Sequence, residues 1–262
     1  MSNDLFTIGP ITVHAYGLMI GIGIIAAYLA GHLRAEKKGL ESDKLMDLII
    51  VCVVAGFACA KLLYWITILP EILANPSIML NFGSGFVVYG GIIGGVIGGY
   101  IFCRIQKYSF IRYADLLLPS VALAQGFGRI GCAIAGCCYG AETTCFCAVT
   151  YLNSSIAPNG VPLIPTQAIS AGLNFLHFAV LVLIASKCKV PGVVTGCYLI
   201  FYSIGRFCIE MFRGDLIRGR VGTFSTSQFI SLFIVIAGIA VIGGSIGYDT
   251  AVKRKAEREN NL

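Results

Sequence analysis

Seven long apolar segments constrain the fold of this 262-residue chain more than any other feature of its sequence. Each segment holds about 20 predominantly apolar residues, the length that a helix needs to cross the hydrocarbon core of a bilayer. Only 12% of the residues are charged, against roughly 25% in an average soluble domain. The sequence therefore predicts an all-α integral membrane protein that forms one polytopic domain over residues 1–262. The predicted spans are 12–33, 46–69, 86–105, 115–138, 166–186, 193–212 and 224–247.

The basic residues are unevenly distributed along this predicted topology. Of the 19 lysines and arginines, 13 lie in the loops after spans one, three and five or in the C-terminal tail. Loops rich in lysine and arginine remain on the cytoplasmic side of a membrane. We therefore predict that the N-terminus is outside and the C-terminus is cytoplasmic. This topology also accounts for the net charge of +6, so we predict no nucleic-acid partner.

Three cations, Lys61, Arg129 and Arg206, lie inside the predicted spans. A charge there costs about 3 kcal/mol unless it faces protein, water or an anion. At ~1.5 Å per residue, all three rise roughly 20–24 Å from the inner ends of their helices. Tyr16 and Tyr89, near the outer starts of spans one and three, fall at a similar depth. The sequence thus predicts a site in the outer half of the bilayer.

Arg206 belongs to a polar face of span six. Tyr202, Arg206, Glu210 and Arg213 recur at helical spacing and share one side of the helix. Arg206 and Glu210 could simply neutralise each other as a structural ion pair. Because the cations at this depth outnumber the carboxylate, we predict instead an anionic ligand such as a lipid phosphate, which arginine binds through two parallel hydrogen bonds.

Simpler roles remain open for several of these side chains. Arg129 and Lys61 could extend along the helix to the outer surface and hold no ligand. His14, at the start of span one, is either an interfacial anchor or a base. Asp115 lies at an inner helix start, where a carboxylate favours the positive end of the helix dipole. His177 has no partner that is evident from the sequence.

Five of the 11 cysteines cluster near the outer end of span four and in the loop that follows. The spacing of the last four matches no metal-ligand pattern that we recognise, so we predict no metal and no cofactor. Disulfides on an oxidising outer side and free packing thiols both remain possible. The cluster comprises Cys132, Cys137, Cys138, Cys145 and Cys147.

Four motifs, in order and across nearly the whole length, resemble the prolipoprotein diacylglyceryl transferase family. The third resembles the family signature, and the two segments of the fourth correspond to the family's fifth and sixth spans. The motifs are FTIGPITVHAYGLM (6–19), GFVVYGGIIGG (85–95), GRIGCAIAGCCYG (128–140), and PTQ (165–167) followed by YSIGRFCIEMFRGD (202–215).

The resemblance implies an enzyme of a bacterial inner membrane. It would transfer the diacylglyceryl group of phosphatidylglycerol to the lipobox cysteine of a preprolipoprotein signal peptide, forming a thioether and releasing glycerol phosphate. On the matching positions, the catalytic residues would be Arg129, Arg206, Tyr89 and Tyr16. The substrate-binding residues would be Arg129, Arg206, Lys61, Gly90, Gly91, Tyr202, Glu210, Arg213 and His14.

The chain departs from the family pattern at the signature itself. Tyr89 stands where the family commonly has histidine, and Lys61 where it has arginine. Cys132 and Ala135 replace the signature asparagines, and Cys137 replaces its glutamate. Transfer of a lipid group to a different thiol or hydroxyl acceptor is therefore an alternative. A lipid or small-molecule transporter is another, although the sequence contains no clear internal repeat of the kind that many transporters have.

Overall fold

Helices dominate the computed structural model of the chain, which describes residues 4–8, 11–80, 83, 85–214 and 220–260. Seven helices are long and apolar enough to cross a membrane, which confirms the predicted number of spans and the all-α class. They are α1 (Ala15–Lys37), α2 (Leu45–Thr67), α4 (Val88–Ile105), α5 (Phe110–Ala135), α6 (Thr166–Lys187), α7 (Val193–Glu210) and α8 (Thr226–Asn260).

Short elements occupy some of the connections between these helices. A short helix, α3 (Leu69–Ala74), and a 3-10 turn (Pro76–Leu80) follow α2. Three antiparallel two-stranded ribbons complete the described fold. Their strands are β1 (Asp4–Ile8) with β2 (Ile11–His14), β3 (Val149–Thr150) with β4 (Pro162–Leu163), and β5 (Arg220–Val221) with β6 (Phe224–Ser225).

Most helix boundaries differ from the predicted spans, and two of these differences have clear local reasons. Helix α5 ends at Ala135 because Gly136 takes a left-handed conformation with φ of +74°, a common way for a helix to stop. Helix α8 continues beyond the predicted apolar span to Asn260. Its final turns contain good helix formers and an ion pair between Lys253 and Asp249 with an N–O distance of 2.7 Å, which supports helix at this spacing.

The chain divides into two compact units. One comprises Met1–Gly31 and Ala114–Leu262, and the other comprises His32–Tyr113.

Close packing of α2 against α4 forms the His32–Tyr113 unit. A Cβ atom at Gly94 would lie 2.5 Å from Cβ and 2.8 Å from Sγ of Cys59, so only glycine permits this approach. Small residues in helix interfaces allow backbones to come close where apolar surroundings give no hydrophobic driving force. The backbone N–H of Val87 also donates to the carbonyl of Ala60 at 3.1 Å, which fixes the start of α4 against α2.

In the larger unit, α7 packs against both α6 and α8. Gly196 on α7 faces Gly238 on α8, and a Cβ at Gly196 would lie 2.7 Å from the carbonyl oxygen of Gly238. A core cluster joins α5, α6 and α7. Its buried members are Ala122, Leu181, Ala185, Val194 and Tyr198.

Asp115 connects α5 to the start of α7. Its carboxylate accepts hydrogen bonds from the backbone N–H of Gly192 at 2.7 Å and from the N–H of Thr195 at 2.8 Å. The Thr195 hydroxyl donates to the same carboxylate at 2.6 Å. Asp115 therefore caps the positive end of α7 and not that of its own helix, which corrects the location we expected for this interaction.

The α2–α4 contact predicts that Gly94→Ala destabilises the protein. Overpacking of this kind costs about 1–3 kcal/mol, so thermal unfolding in detergent, followed by circular dichroism, should begin several degrees lower. Gly95→Ala is the control, because its nearest neighbour would lie 3.6 Å away. Equal unfolding temperatures for the two variants would contradict this packing.

The cap on α7 predicts a large loss of stability for Asp115→Ala. The substitution leaves buried backbone donors without partners, at a cost of about 1–3 kcal/mol each before relaxation. Asp47→Ala is the control, because Asp47 is exposed and meets Lys44 at its own helix start. We expect the unfolding temperature to fall for Asp115→Ala and to change little for Asp47→Ala.

Candidate active site

A cavity of about 360 Å³ lies within the larger unit, lined by residues of α5, α6 and α7. Sites for small molecules range from roughly 300 to 1,000 Å³, so the cavity fits a lipid headgroup but not two acyl chains. Its polar lining residues are Arg129, Ser170, Asn174, His177, Tyr202 and Arg206, and its apolar ones include Leu173, Leu176, Val180, Phe201 and Ile209.

Glu210 and Ser227 contact one terminal nitrogen of the Arg206 guanidinium, and the other terminal nitrogen has no hydrogen bond to any described residue. Its Nη2 lies 2.5 Å from Oε2 of Glu210 and donates a hydrogen bond to Oγ of Ser227 at 2.9 Å. Its Nη1 is buried and makes no hydrogen bond to any residue that the structure describes. Native proteins rarely leave a buried donor unsatisfied. A ligand in the cavity would supply the missing acceptor.

Arg129 contributes the second guanidinium to the same cavity. Within residues 4–260, as far as they are described, it has no hydrogen bond or ion pair. Its place in the cavity lining argues against the alternative that it only extends outward to water. Two residues further along α5, Gly131 leaves room for Tyr16, since a Cβ at Gly131 would lie 3.1 Å from the tyrosine ring.

Positive charge exceeds negative charge around this cavity. Glu210 is 7% exposed and is shared, since Nε of Arg213 lies 3.9 Å from the oxygen that meets Arg206. Arg206 and Arg213 therefore share one carboxylate, and Arg129 lies within electrostatic range of Arg206. The ion pair between Arg206 and Glu210 does form, yet it leaves an excess of positive charge that suits an anion.

A stack of three rings connects α6 to α7 beside the arginines. His177 stacks on Tyr198 at 5.2 Å between ring centroids, and Tyr198 stacks on Tyr202 at 5.8 Å. The Tyr198 hydroxyl accepts a hydrogen bond from Gln125 at 3.0 Å. Tyr202, predicted as a binding residue, thus lines the cavity with its ring held in place.

The sequence analysis missed three cavity residues on α6, namely Ser170, Asn174 and His177. They recur four and then three positions apart, the spacing of one helix face, inside an otherwise apolar span. This spacing of polar residues in an apolar span is the sequence signal that could have identified them as cavity residues. Nε2 of His177 is buried and makes no hydrogen bond in the described part of the chain. Like Nη1 of Arg206, it could therefore form a hydrogen bond with a ligand in the cavity.

Four of the predicted site residues lie in the His32–Tyr113 unit. Lys61 is 6% exposed, and its Nζ lies 5.1 Å from the ring centroid of Tyr64 and 5.3 Å from that of Phe86. This burial contradicts the alternative in which Lys61 extends to water. Tyr89 is partly exposed at the start of α4.

Gly90 and Gly91 follow Tyr89 on α4 and pack differently against α2. A Cβ at Gly90 would lie 2.5 Å from the carbonyl oxygen of Cys59, whereas at Gly91 the nearest atom would be 3.6 Å away. Gly90 is therefore required for packing. Substrate binding by either glycine stays a prediction.

His14 and Tyr16 lie at the junction of β2 and α1. His14 ends β2 and is exposed, and it is not among the residues that line the cavity. Tyr16 is 39% exposed and lies within electrostatic range of Arg129 and Cys132. Of the two, Tyr16 is the one that the structure brings to the arginine.

The chain folds back sharply after α5. Gly136 and Cys138 both have left-handed backbone, with φ of +74° and +60°, which costs roughly 1–2 kcal/mol for a residue other than glycine. Side chains at the start of α6 hold this turn, because Thr166 donates to the carbonyl of Cys138 at 2.8 Å and Gln167 donates to that of Cys137 at 2.9 Å.

The turn brings Cys137 and Cys138 back to Cys132 at the end of α5. Their three Sγ atoms all lie within 4.8 Å of one another, and all 11 cysteines are free thiols in the structure. Hydrogen bonds from Cys132 and Cys137 lower the pKa of Cys138, and the nearby Arg213 and Arg129 lower it further. Hydrogen bonding to the other two thiols raises the pKa of Cys137.

The segment after this turn pairs with the end of α7. Ala141 donates its N–H to the carbonyl of Phe212 at 2.9 Å, and Gly214 donates to that of Tyr139 at 3.2 Å. These bonds flank a bridge between Gly140 and Arg213. The pairing fixes Arg213 beside the thiols.

Known proteins resemble this chain along most of its sequence. The sequence model of prolipoprotein diacylglyceryl transferase matches residues 3–243. The chain belongs to this family. The resemblance that the four motifs predicted is therefore confirmed.

Relatives of high similarity carry the corresponding name. A phosphatidylglycerol–prolipoprotein diacylglyceryl transferase of Clostridium tetani is 44% identical over 92% of this chain and 96% of its own length. A second, numbered 2, from Clostridium perfringens is 47% identical over 87% of this chain and 89% of its own length. One from Clostridioides difficile is 33% identical over 91% of this chain and 93% of its own length.

The charge arrangement predicts that Glu210→Gln destabilises the protein and makes its stability depend on anionic lipid. Removing one partner of a buried ion pair costs about 3–5 kcal/mol because the other charge is left uncompensated. We expect a lower unfolding temperature in neutral detergent and a larger recovery with phosphatidylglycerol than with phosphatidylcholine.

Glu142→Gln is the control for this substitution, because Glu142 is exposed. It should behave like the unmodified chain in both lipids. If Glu210→Gln unfolds at the same temperature as this control, the carboxylate does not offset the arginines.

Proposed function

We propose that this chain transfers the diacylglyceryl group of phosphatidylglycerol to the lipobox cysteine of a preprolipoprotein. The observation that carries the proposal is the cavity lined by both Arg129 and Arg206, with one buried guanidinium nitrogen that has no hydrogen bond to any described residue. The printed names of the relatives support the same substrates.

In the proposed reaction the arginines bind the phosphate of phosphatidylglycerol. The acceptor thiol loses its proton to solvent, and its sulfur attacks the carbon of the diacylglyceryl group that carries the phosphate ester. A carbon–sulfur bond forms, the carbon–oxygen bond breaks, and glycerol phosphate leaves with the electron pair. Arg129 and Arg206 stabilise the charge that develops on the phosphate, and fixed donors of this kind are usually the largest contribution to catalysis.

The other predicted residues take supporting roles in this proposal. Tyr16 lies within electrostatic range of Arg129 and would donate a hydrogen bond to the reacting groups, as would Tyr89. Glu210 orients Arg206 through their ion pair. The remaining proposed substrate-binding residues are Lys61, Gly90, Gly91, Tyr202, Arg213 and His14.

We also propose the topology on which this chemistry depends. The chain forms one polytopic domain in a bacterial inner membrane, with its N-terminus outside and its C-terminus in the cytoplasm. The asymmetric lysines and arginines of the loops support this orientation. The arginine cavity then lies in the outer half of the bilayer, at the depth of a lipid phosphate.

The proposal predicts loss of turnover in Arg129→Ala and Arg206→Ala. Purified protein would be incubated with phosphatidylglycerol and a lipobox peptide, with the thioether measured by mass spectrometry and glycerol phosphate measured in parallel. Loss of a donor to developing charge typically lowers the rate about 10²–10³-fold, and we expect at least this much for either arginine.

Arg112→Ala is the matched control, because Arg112 lies near the other end of α5 and is exposed. Full turnover by folded Arg206→Ala would refute the phosphate-binding role. Absence of product from the folded, unmodified chain would instead favour a different thiol or hydroxyl acceptor.

A further inference from the structure

We infer that Cys132, Cys137 and Cys138 form a binding site for a soft divalent metal ion such as Zn²⁺. Their Sγ atoms lie within 4.8 Å of one another. Zinc–thiolate bonds of about 2.3 Å in a tetrahedral site place the sulfurs roughly 3.8 Å apart. Small side-chain rotations therefore convert the observed cluster into a three-sulfur coordination site.

The spacing of the three cysteines in the sequence does not reveal this site, because the fold brings their side chains together. Cys132 lies inside the last turn of α5, whereas Cys137 and Cys138 follow the helix. The left-handed residues Gly136 and Cys138 reverse the chain and bring both later thiols back to Cys132. The distances between cysteines along the sequence do not show that the chain reverses at the end of a helix.

The backbone around the thiols is already fixed. The N–H of Cys137 donates to the carbonyl of Cys132 at 3.2 Å. Gln167 and Thr166 donate to the carbonyls of Cys137 and Cys138. Metal sites depend on such surrounding hydrogen bonds to orient their ligands, and here they are formed by the start of a long helix.

The surrounding charges also suit a metal–thiolate complex. A divalent ion with three thiolates carries a net charge of −1, and its three thiol protons pass to solvent on binding. Arg129 and Arg213 both lie within electrostatic range of Cys138. Arg213 is held there by the backbone pairing of its neighbours with residues 139–141. Two cations thus offset the negative charge of the complex.

Soft thiolate ligands select zinc and similar ions over magnesium or calcium. Three protein ligands leave a fourth position for water or another donor. Cys145 and Cys147 form a second thiol pair with Sγ atoms 3.0 Å apart, but both are exposed and they provide two ligands only. Substitution of Cys145 and Cys147 therefore serves as the control for substitution of the three clustered cysteines.

The experiment uses the full chain, purified in detergent, reduced with a phosphine and stripped of metal. Zn²⁺ is added, unbound ion is removed by dialysis, and zinc per chain is measured by mass spectrometry. We expect about one ion per chain, as for one three-thiolate site, in the unmodified protein and in Cys145→Ser with Cys147→Ser. We expect at least a tenfold weaker affinity in Cys138→Ser and no retained zinc in Cys137→Ser with Cys138→Ser.

Co²⁺ gives an independent measurement on the unmodified chain. Its absorption should include sulfur-to-metal charge transfer together with the bands of tetrahedral coordination. This measurement needs no substitution, so it tests the site even if a cysteine variant fails to fold. Absence of the charge-transfer band from the folded, reduced chain would overturn the inference.

Two further results would also overturn it. One is zinc retention by folded Cys137→Ser with Cys138→Ser equal to that of the unmodified chain. The other is a disulfide among the three cysteines in protein purified without reductant, combined with no zinc binding after reduction, which would make the cluster a redox pair.

Metal content does not depend on lipid transfer, so the two proposals fail separately. Zinc binding without thioether formation would count against the proposed function alone. Thioether formation without zinc binding would count against the metal site alone.

Discussion

Excess positive charge inside an apolar helical unit is the constraint on which the candidate site depends. Arg206 and Arg213 share Glu210, Arg129 lies within electrostatic range of Arg206, and Nη1 of Arg206 is buried without a hydrogen bond to any described residue. In hydrocarbon surroundings such charge persists only where protein, water or a ligand compensates it. In the function that we propose, an anionic lipid headgroup in the adjoining cavity provides that compensation, so the same charges serve both binding and chemistry.

The scaffold holds these charges by fixing α5 and α7 at opposite ends. At one end the Asp115 carboxylate of α5 caps α7 through Gly192 and Thr195. At the other, the segment after α5 pairs with the residues that follow α7. Arg129 and Arg206 lie between these two connections, so a loss at either end would displace the arginines relative to each other.

The resemblance to the family implies that this chain departs from the signature at several polar positions. Cys132 and Cys137 occupy positions where the family pattern has amide and carboxylate side chains, and together with Cys138 they place three thiols beside Arg129 and Arg213. Amide and carboxylate groups of the family pattern would thus be replaced near the arginines by thiols, on which the proposed metal site rests. The proposed reaction relies on the arginines, which the change leaves in place.

The sequence by itself determined the seven helices, the polar face of α7 and the family. These follow from local properties: the length of apolar runs, helical periodicity and motif order all lie within short stretches of chain. Only the tertiary structure decided that Asp115 caps α7, that His177 joins the arginine cavity, that Lys61 is buried among aromatic rings, and that three cysteines converge. Those features are contacts between residues distant in sequence or separated by a chain reversal. They depend on which helix faces pack together, and periodicity within one helix does not specify its neighbour.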